Sequence, residues 1–148
     1  LSRRSRHNRA AGYRKAFDEM GLSFIPDMIK EYAYDNSVKE MIKQHITAMK
    51  PTAIISVSEG ISVCTIQALK ELNLGFPEDM SLVAYDDFPW LAASGISAVS
   101  HPFESLGKLA SQLILNRVAE YPQTRGGEPV TLVLDPMLVT RDSIKVLR

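Results

Sequence analysis

The stretch EDMSLVAYDDFPW, residues 78–90, sets an apolar run against two adjacent carboxylates, Asp86 and Asp87, and then against aromatic residues. Three kinds of chemistry use such groups: acid/base catalysis by a carboxylate pair, metal ligation, and hydrogen bonding to the hydroxyls of a bound small molecule. Adjacent residues on an extended backbone point to opposite sides, which argues against a catalytic dyad. A single carboxylate accepts two hydroxyl hydrogen bonds, each worth roughly 1.5–3 kcal/mol when charge-assisted and shielded from water. A polyol or sugar requires that. A solvated Asp pair opening a loop is the competing reading.

The remaining reactive side chains form weaker patterns. His7, His45 and His101 have no metal-ligand spacing among themselves or with Cys64, which reads as a small buried apolar residue. The run SRRSRHNR near the start is basic, but it lacks interleaved aromatic residues and reads as a solvated first helical turn. No G-x-S-x-G, P-loop or G-x-G-x-x-G occurs, so no cofactor is expected and the strongest motif evidence for an enzyme is missing. An enzyme using Asp86 or Glu59 as base is kept as a rival.

The balance of residues suits an ordinary globular domain. Of 148 residues, 45% are hydrophobic and 23% charged, and 17 basic residues meet 17 acidic ones, so no global positive field marks a nucleic-acid binder. One cysteine excludes an internal disulfide and suits a reducing cytoplasm. No apolar run approaches the roughly 18 residues of a membrane span.

The elements that must position Asp86 follow from periodicity. Ala10, Tyr13, Ala16 and Phe17 predict a helix that stops at Gly21, and MIKEYAY (28–34) reads as a strand. SVKEMIKQHITAMKP (37–51) reads as a helix opened by a capping box, Ser37 with Glu40, and closed before Pro51. TAIISV (52–57) reads as a fully buried strand, followed by Ser58 as N-cap and a helix from Glu59 to Asn73. Residues 81–85 supply another strand and 96–99 a short one. A helix follows over 104–119, then a turn at 122–129 and a closing strand pair, VTLVL and MLVTR.

Such alternation predicts an α/β fold, a mostly parallel sheet flanked by helices. In open parallel sheets, ligands bind at the carboxyl ends of strands. Asp86, Ser58 with Glu59, and Tyr34 with Asp35 all follow strands there, so three strand ends are expected to share one rim.

Two features suggest that part of the fold lies outside the sequence. The chain opens on a helix with no strand before it. The helix over 104–119 carries Leu106, Leu109, Ala110, Leu113, Ile114 and Val118, a stripe whose burial would stabilise by on the order of 6–15 kcal/mol.

The helix after Ser58 is apolar beyond one stripe: Ile61, Cys64, Ala68 and Leu72 line one side, with Val63 and Ile66 off it. That pattern fits either two-sided packing within one core or a dimer contact joined by Trp90 and Leu91.

RAAGYRKAF, PTAIISVSEGISVCTIQALKELNLGFPEDMSLVAYDDFPW, HPFESLGKLASQLIL and LVTRDS together span nearly the whole chain. They resemble the C-terminal part of the effector-binding core of the lactose/galactose-repressor (LacI/GalR) family of bacterial transcription regulators. The resemblance implies a type I periplasmic-binding-protein-like fold with an incomplete N-terminal lobe. It implies a C-terminal subdomain over 1–100, a crossover and helix of the other lobe over 101–121, and a return over 122–148. It places Arg9 against effector oxygens, Tyr34 as a stacking ring, Ser58 and Asp86 as polar contacts, and His101, a further ligand-binding residue, at the crossover.

The implied partners are a sugar or related metabolite, a second copy of the chain through Val63, Ile66, Trp90 and Leu91, and operator DNA through a segment absent from this sequence. Departures from the family pattern are Ser58-Glu59, where an Asn-Asp-like pair is frequent, and SGISAV, where a Pro-rich stretch is usual. A periplasmic sugar-binding protein of related fold is the alternative.

Overall fold

The computed structural model describes residues 3–32, 35–120 and 128–146. The chain forms two compact units, Leu1–Tyr34 and Asp35–Arg148.

The first unit is built on helix α1 (Arg3–Glu19). Tyr13 and Phe17, one helical turn apart, bring their rings within 4.9 Å, and Phe24 meets them edge-on at 6.2 and 6.0 Å. Such tilted aromatic clusters combine apolar burial with favourable edge-to-face geometry. Gly21 (φ +65°) ends the helix as expected, because the Leu22 N–H can then return to the Phe17 carbonyl at 2.9 Å. The strand expected over 28–34 is not found in its described part. Pro26–Met28 instead forms a short 3-10 turn, and 29–32 carries no ladder pairing. Ile29 has extended dihedrals, but an extended segment becomes a strand only where a neighbour takes its hydrogen bonds.

The second unit holds helices α2 (Val38–Met49), α3 (Glu59–Glu71), α4 (Pro89–Ala93) and α5 (Phe103–Glu120), and strands β1 (Ala53–Ser56), β2 (Ser81–Tyr85), β3 (Ser97–Ser100) and β4 (Met137–Val139). The sheet order is β1-β2-β3-β4, with the first three strands parallel and β4 antiparallel to β3. This is the expected α/β architecture.

β2 lies between two parallel neighbours, and its alternate residues Leu82 and Ala84 are fully buried. With Leu91, Ile96 and Ala98 they form a core cluster against which Ile54, Ile66, Phe76, Phe88 and Trp90 pack. β1 differs from the fully buried strand expected of it. It is the sheet's edge among the described residues, and Ile55 keeps half of its surface.

α2 buries Val38, Ile42 and Ile46, a 4-residue repeat that turns one face inward. Its opening corrects the expected capping box, since Ser37 makes no side-chain cap bond. Asp35 Oδ1 accepts both the Ser37 N–H (2.8 Å) and the Ser37 hydroxyl (2.6 Å). These bonds hold the Asp35 carboxyl below its usual range. An Asp two residues upstream competes successfully because it satisfies donor and hydroxyl together. Glu40 turns instead to Lys43 at 3.3 Å.

Glu71 at the end of α3 ties this helix to α2 by accepting from Lys39 and, at 2.7 Å, from Lys43. The two ammonium groups hold its carboxyl at about 2, down from 4.5. A carboxyl depressed by folding contributes stability above its unfolded value, and that contribution is lost as pH falls toward the folded one. The thermal midpoint should therefore fall more steeply from pH 4.5 to 2 in the native protein than in Glu71→Gln. Parallel acid limbs for the two proteins would exclude the clamp, and 1 M salt should shrink the difference because the groups are exposed.

The buried stripe of α3 is Ser62, Thr65, Ala68 and Leu69, which shares only Ala68 with the Ile61–Cys64–Ala68–Leu72 side expected from hydropathy. Ser62 is tolerated inside because its hydroxyl lies 2.7 Å from Ser56 Oγ and donates to the Ser58 carbonyl at 3.0 Å.

The C-terminal segment stitches the sheet together. Ser143 is fully buried, and its hydroxyl donates to the Leu82 carbonyl (2.5 Å) while accepting the Ser97 N–H (2.8 Å). Ser143→Ala leaves both backbone groups without that partner and should cost about 2 kcal/mol. Urea denaturation checks this; a loss under about 0.5 kcal/mol would show that other groups replace the hydroxyl.

Of the expected closing pair, only 137–139 forms a strand. Residues 130–134 do not pair, and Val130, Leu132 and Val133 are at least half exposed. The expected turn at 122–129 lies largely outside the described residues. α5 carries its apolar stripe largely uncovered, with Leu106, Ile114 and Val118 more than half exposed.

Candidate functional site

The ladder sets the ends of the parallel strands side by side: Ser56 is level with Ala84, and Tyr85 with Val99. Each strand therefore hands its next residues to the same carboxyl edge.

After β1 comes Ser58, at the N-cap of α3 with extended dihedrals and no side-chain cap bond. Its carbonyl is anchored instead, accepting the Ser62 N–H at 2.8 Å as well as the Ser62 hydroxyl. Glu59 follows and accepts the Trp90 indole N–H at 3.1 Å.

After β2 comes Asp86, whose N–H extends the ladder by donating to the Val99 carbonyl at 3.0 Å. Its φ of +69° is in the left-handed region, which Asp enters more readily than most side chains. That turn separates Asp86 from Asp87. After β3 comes His101, with Nε2 3.3 Å from Asp86 Oδ1. The imidazole sits between the Tyr85 ring at 5.1 Å and the Phe103 ring at 5.7 Å.

Asp87 goes elsewhere. Its two oxygens accept from Arg141 at 2.8 Å each, and the same guanidinium donates to the Ile96 carbonyl at 2.6 Å. The carboxylate beside Arg141 raises the guanidinium's pKa still further above its usual range. Both side chains are 19% exposed, so the pair is largely shielded. The two aspartates diverge as expected, but through the left-handed turn at Asp86 rather than through alternation along an extended strand. One reaches a histidine at the rim, and the other locks the turn before β3 to the C-terminal segment.

Of the expected site residues, the second unit brings Asp86 and His101 into contact and sets Ser58 on the neighbouring strand end. Arg9 lies half-buried on α1 in the first unit, and Tyr34 is outside the described residues. Among the four residues expected at a dimer contact, Val63 is 39% exposed, while Ile66 and Trp90 pack on the core cluster. Leu91 requires correction: it is fully buried in the unit's own core, because the short α4 turns it inward and the Ile96 N–H bonds back to its carbonyl at 2.9 Å. It has no surface left for a second chain.

Arg141, Ser62 and Ser143 were not foreseen as supports of the site. LVTRDS contains two of them, but a pairing 54 residues away leaves no local pattern to read. Among the described residues, no three His, Cys, Asp or Glu side chains converge as a metal site, and no helix is long and apolar enough to cross a membrane.

Residues 2–144 match a family model described as the periplasmic binding protein-like domain. The ribose operon repressor of Haemophilus influenzae is 30% identical over 148 residues, covering 95% of this chain and 42% of that protein. The transcriptional regulator CelR of Thermobifida fusca is 27% identical over 139 residues, covering 91% of this chain and 40% of that protein. This chain thus spans less than half the length of either relative. Among solved structures, a LacI-family transcriptional regulator from Enterococcus faecium with bound ribose superposes with a TM-score of 0.76 at 19% identity, covering 96% of this chain and 52% of that one. The chain belongs to the periplasmic binding protein-like domain family.

Proposed function

We propose that this chain is the effector-sensing portion of a bacterial LacI-type transcription regulator, and that its effector is a sugar or related metabolite held at the carboxyl edge of the sheet. The observation that carries this reading is the contrast between the two aspartates: Asp87 is engaged by Arg141 on both oxygens, whereas Asp86, about a quarter exposed, is turned to the rim beside His101. A carboxylate so placed binds hydroxyls without needing to transform them. Ser58 supplies a second polar group from the next strand. Arg9 and Tyr34 enter as further effector contacts on the strength of the resemblance.

The bound ribose of the E. faecium regulator and the 30% identity to a ribose operon repressor favour a small sugar. The relatives are regulators, which favours this reading over an exported solute-binding protein and over an enzyme. A regulator of this kind acts in the cytoplasm as a homodimer on operator DNA. Val63 on α3 is the exposed residue offered to the second copy, and the uncovered stripe of α5 is assigned to the other lobe of the core. Effector binding would favour one arrangement of the lobes by its differential affinity.

The test is isothermal titration calorimetry of the full-length protein with D-ribose, D-galactose and cellobiose, and with operator DNA present and absent. Binding of at least one sugar, with a changed DNA affinity, is expected. Heat from none of them, with no shift in thermal midpoint, would overturn the reading.

A further inference from the structure

Asp86 is fixed through its backbone, by the left-handed turn and the N–H bond to Val99, so the remaining freedom lies in the carboxylate's own rotation. The group placed to restrain that rotation is His101, whose Nε2 lies 3.3 Å from Oδ1.

His101 is itself held on three sides. The Tyr85 and Phe103 rings flank it at tilts of 53° and 59°, and its carbonyl accepts the Phe103 N–H at 2.8 Å. A neutral imidazole protonated on Nε2 donates to Oδ1, leaving Oδ2 as the acceptor with a defined direction. The other tautomer would set a lone pair against the carboxylate.

We infer that His101 is a positioning residue, acting on the effector through Asp86 rather than by touching it. This rests on the effector reading of the rim. Fixing one oxygen before binding removes an ordering cost that the sugar would otherwise meet. It also makes the rim select for a hydroxyl that reaches Oδ2.

Two measurements on the full-length protein test this. In the ligand-free state, two-bond ¹⁵N–¹H correlations of the imidazole should show the proton on Nε2, and Asp86→Ala should weaken that preference. A ring protonated on Nδ1 alone would overturn the inference without touching the effector reading.

The second is a double-mutant cycle on the affinity for D-ribose, or for whichever panel sugar binds. His101→Phe keeps a ring between Tyr85 and Phe103 but loses the donor, and should weaken binding about tenfold. His101→Gln, whose amide restores a donor, should stay within about threefold of the native protein. In an Asp86→Gly background, which removes the acceptor and suits φ +69°, His101→Phe should add little. Full additivity would mean that His101 contacts the sugar directly, and equal losses for Gln and Phe would mean that the donor is irrelevant; either result sinks the positioning role. If the native protein binds no sugar, the effector reading itself fails, while the tautomer still reports on the 3.3 Å approach of His101 to Asp86.

Discussion

Asp86→Asn is expected to weaken sugar binding by about 10- to 100-fold while shifting the thermal midpoint by no more than about 2 °C. The substitution isolates charge from shape. Asn is one of the few side chains besides Asp that readily tolerates the left-handed backbone at φ +69°, so the turn after β2 survives. What is lost is a charge-assisted acceptor. A neutral amide oxygen holds a hydroxyl less tightly, and the amide N–H₂ meets a sugar hydroxyl as a donor instead. Calorimetry gives the affinity, and a thermal melt of the same sample gives the stability. Unchanged affinity would remove Asp86 from the site. A valine at this position would be a poor control, because a β-branched residue resists the left-handed region and the loss would mix strain with chemistry.

Arg141→Ala should show the reverse pattern, a loss of about 3 kcal/mol in folding stability. Arg141 donates to both oxygens of Asp87 and to the Ile96 carbonyl, and each partner is left largely shielded without its donor. Breaking a buried ion pair costs about 3–5 kcal/mol, and the residual exposure of this pair places it at the lower end of that range. Urea denaturation at constant m-value measures the change. A loss below about 1 kcal/mol would show that solvent already screens the pair, and Asp87 would then have to be reconsidered as a ligand group. Since Asp87 adjoins Asp86, Arg141 supports the rim from behind by holding the chain that carries it.

Much of this architecture was legible in one sequence because its signals are local. Five-residue β2 and the helices α2, α3 and α5 lie where apolar runs and turn residues put them. Gly21 and Lys50 end their helices in left-handed conformations, at the positions that Gly21 itself and the following Pro51 mark. Less of the edges was legible. Residues 28–32 and 130–134 have strand-like composition, yet pairing requires a neighbour that composition does not name. The buried face of α3 was only partly legible because Ser62 and Thr65, polar by type, are buried there, and the Ser62 hydroxyl is paired with Ser56 and the Ser58 carbonyl.

Sequence alone settled the order of α1, α2, α3 and α5 and of β1 to β4, and that polar groups follow β1 and β2, because backbone periodicities of 2 and 3.6 residues are written in neighbouring side chains. It raised the expectation that Asp86 and Asp87 face apart, but the left-handed turn at Asp86, not extended alternation, parts them. Tertiary structure alone decided which of the two is available to a ligand. That depends on Arg141, 54 residues from Asp87, and on His101 across a parallel ladder. It likewise decided that Leu91 belongs to the core. Contacts between distant segments are fixed by how the elements pack, and no local spacing records a partner that only packing brings near.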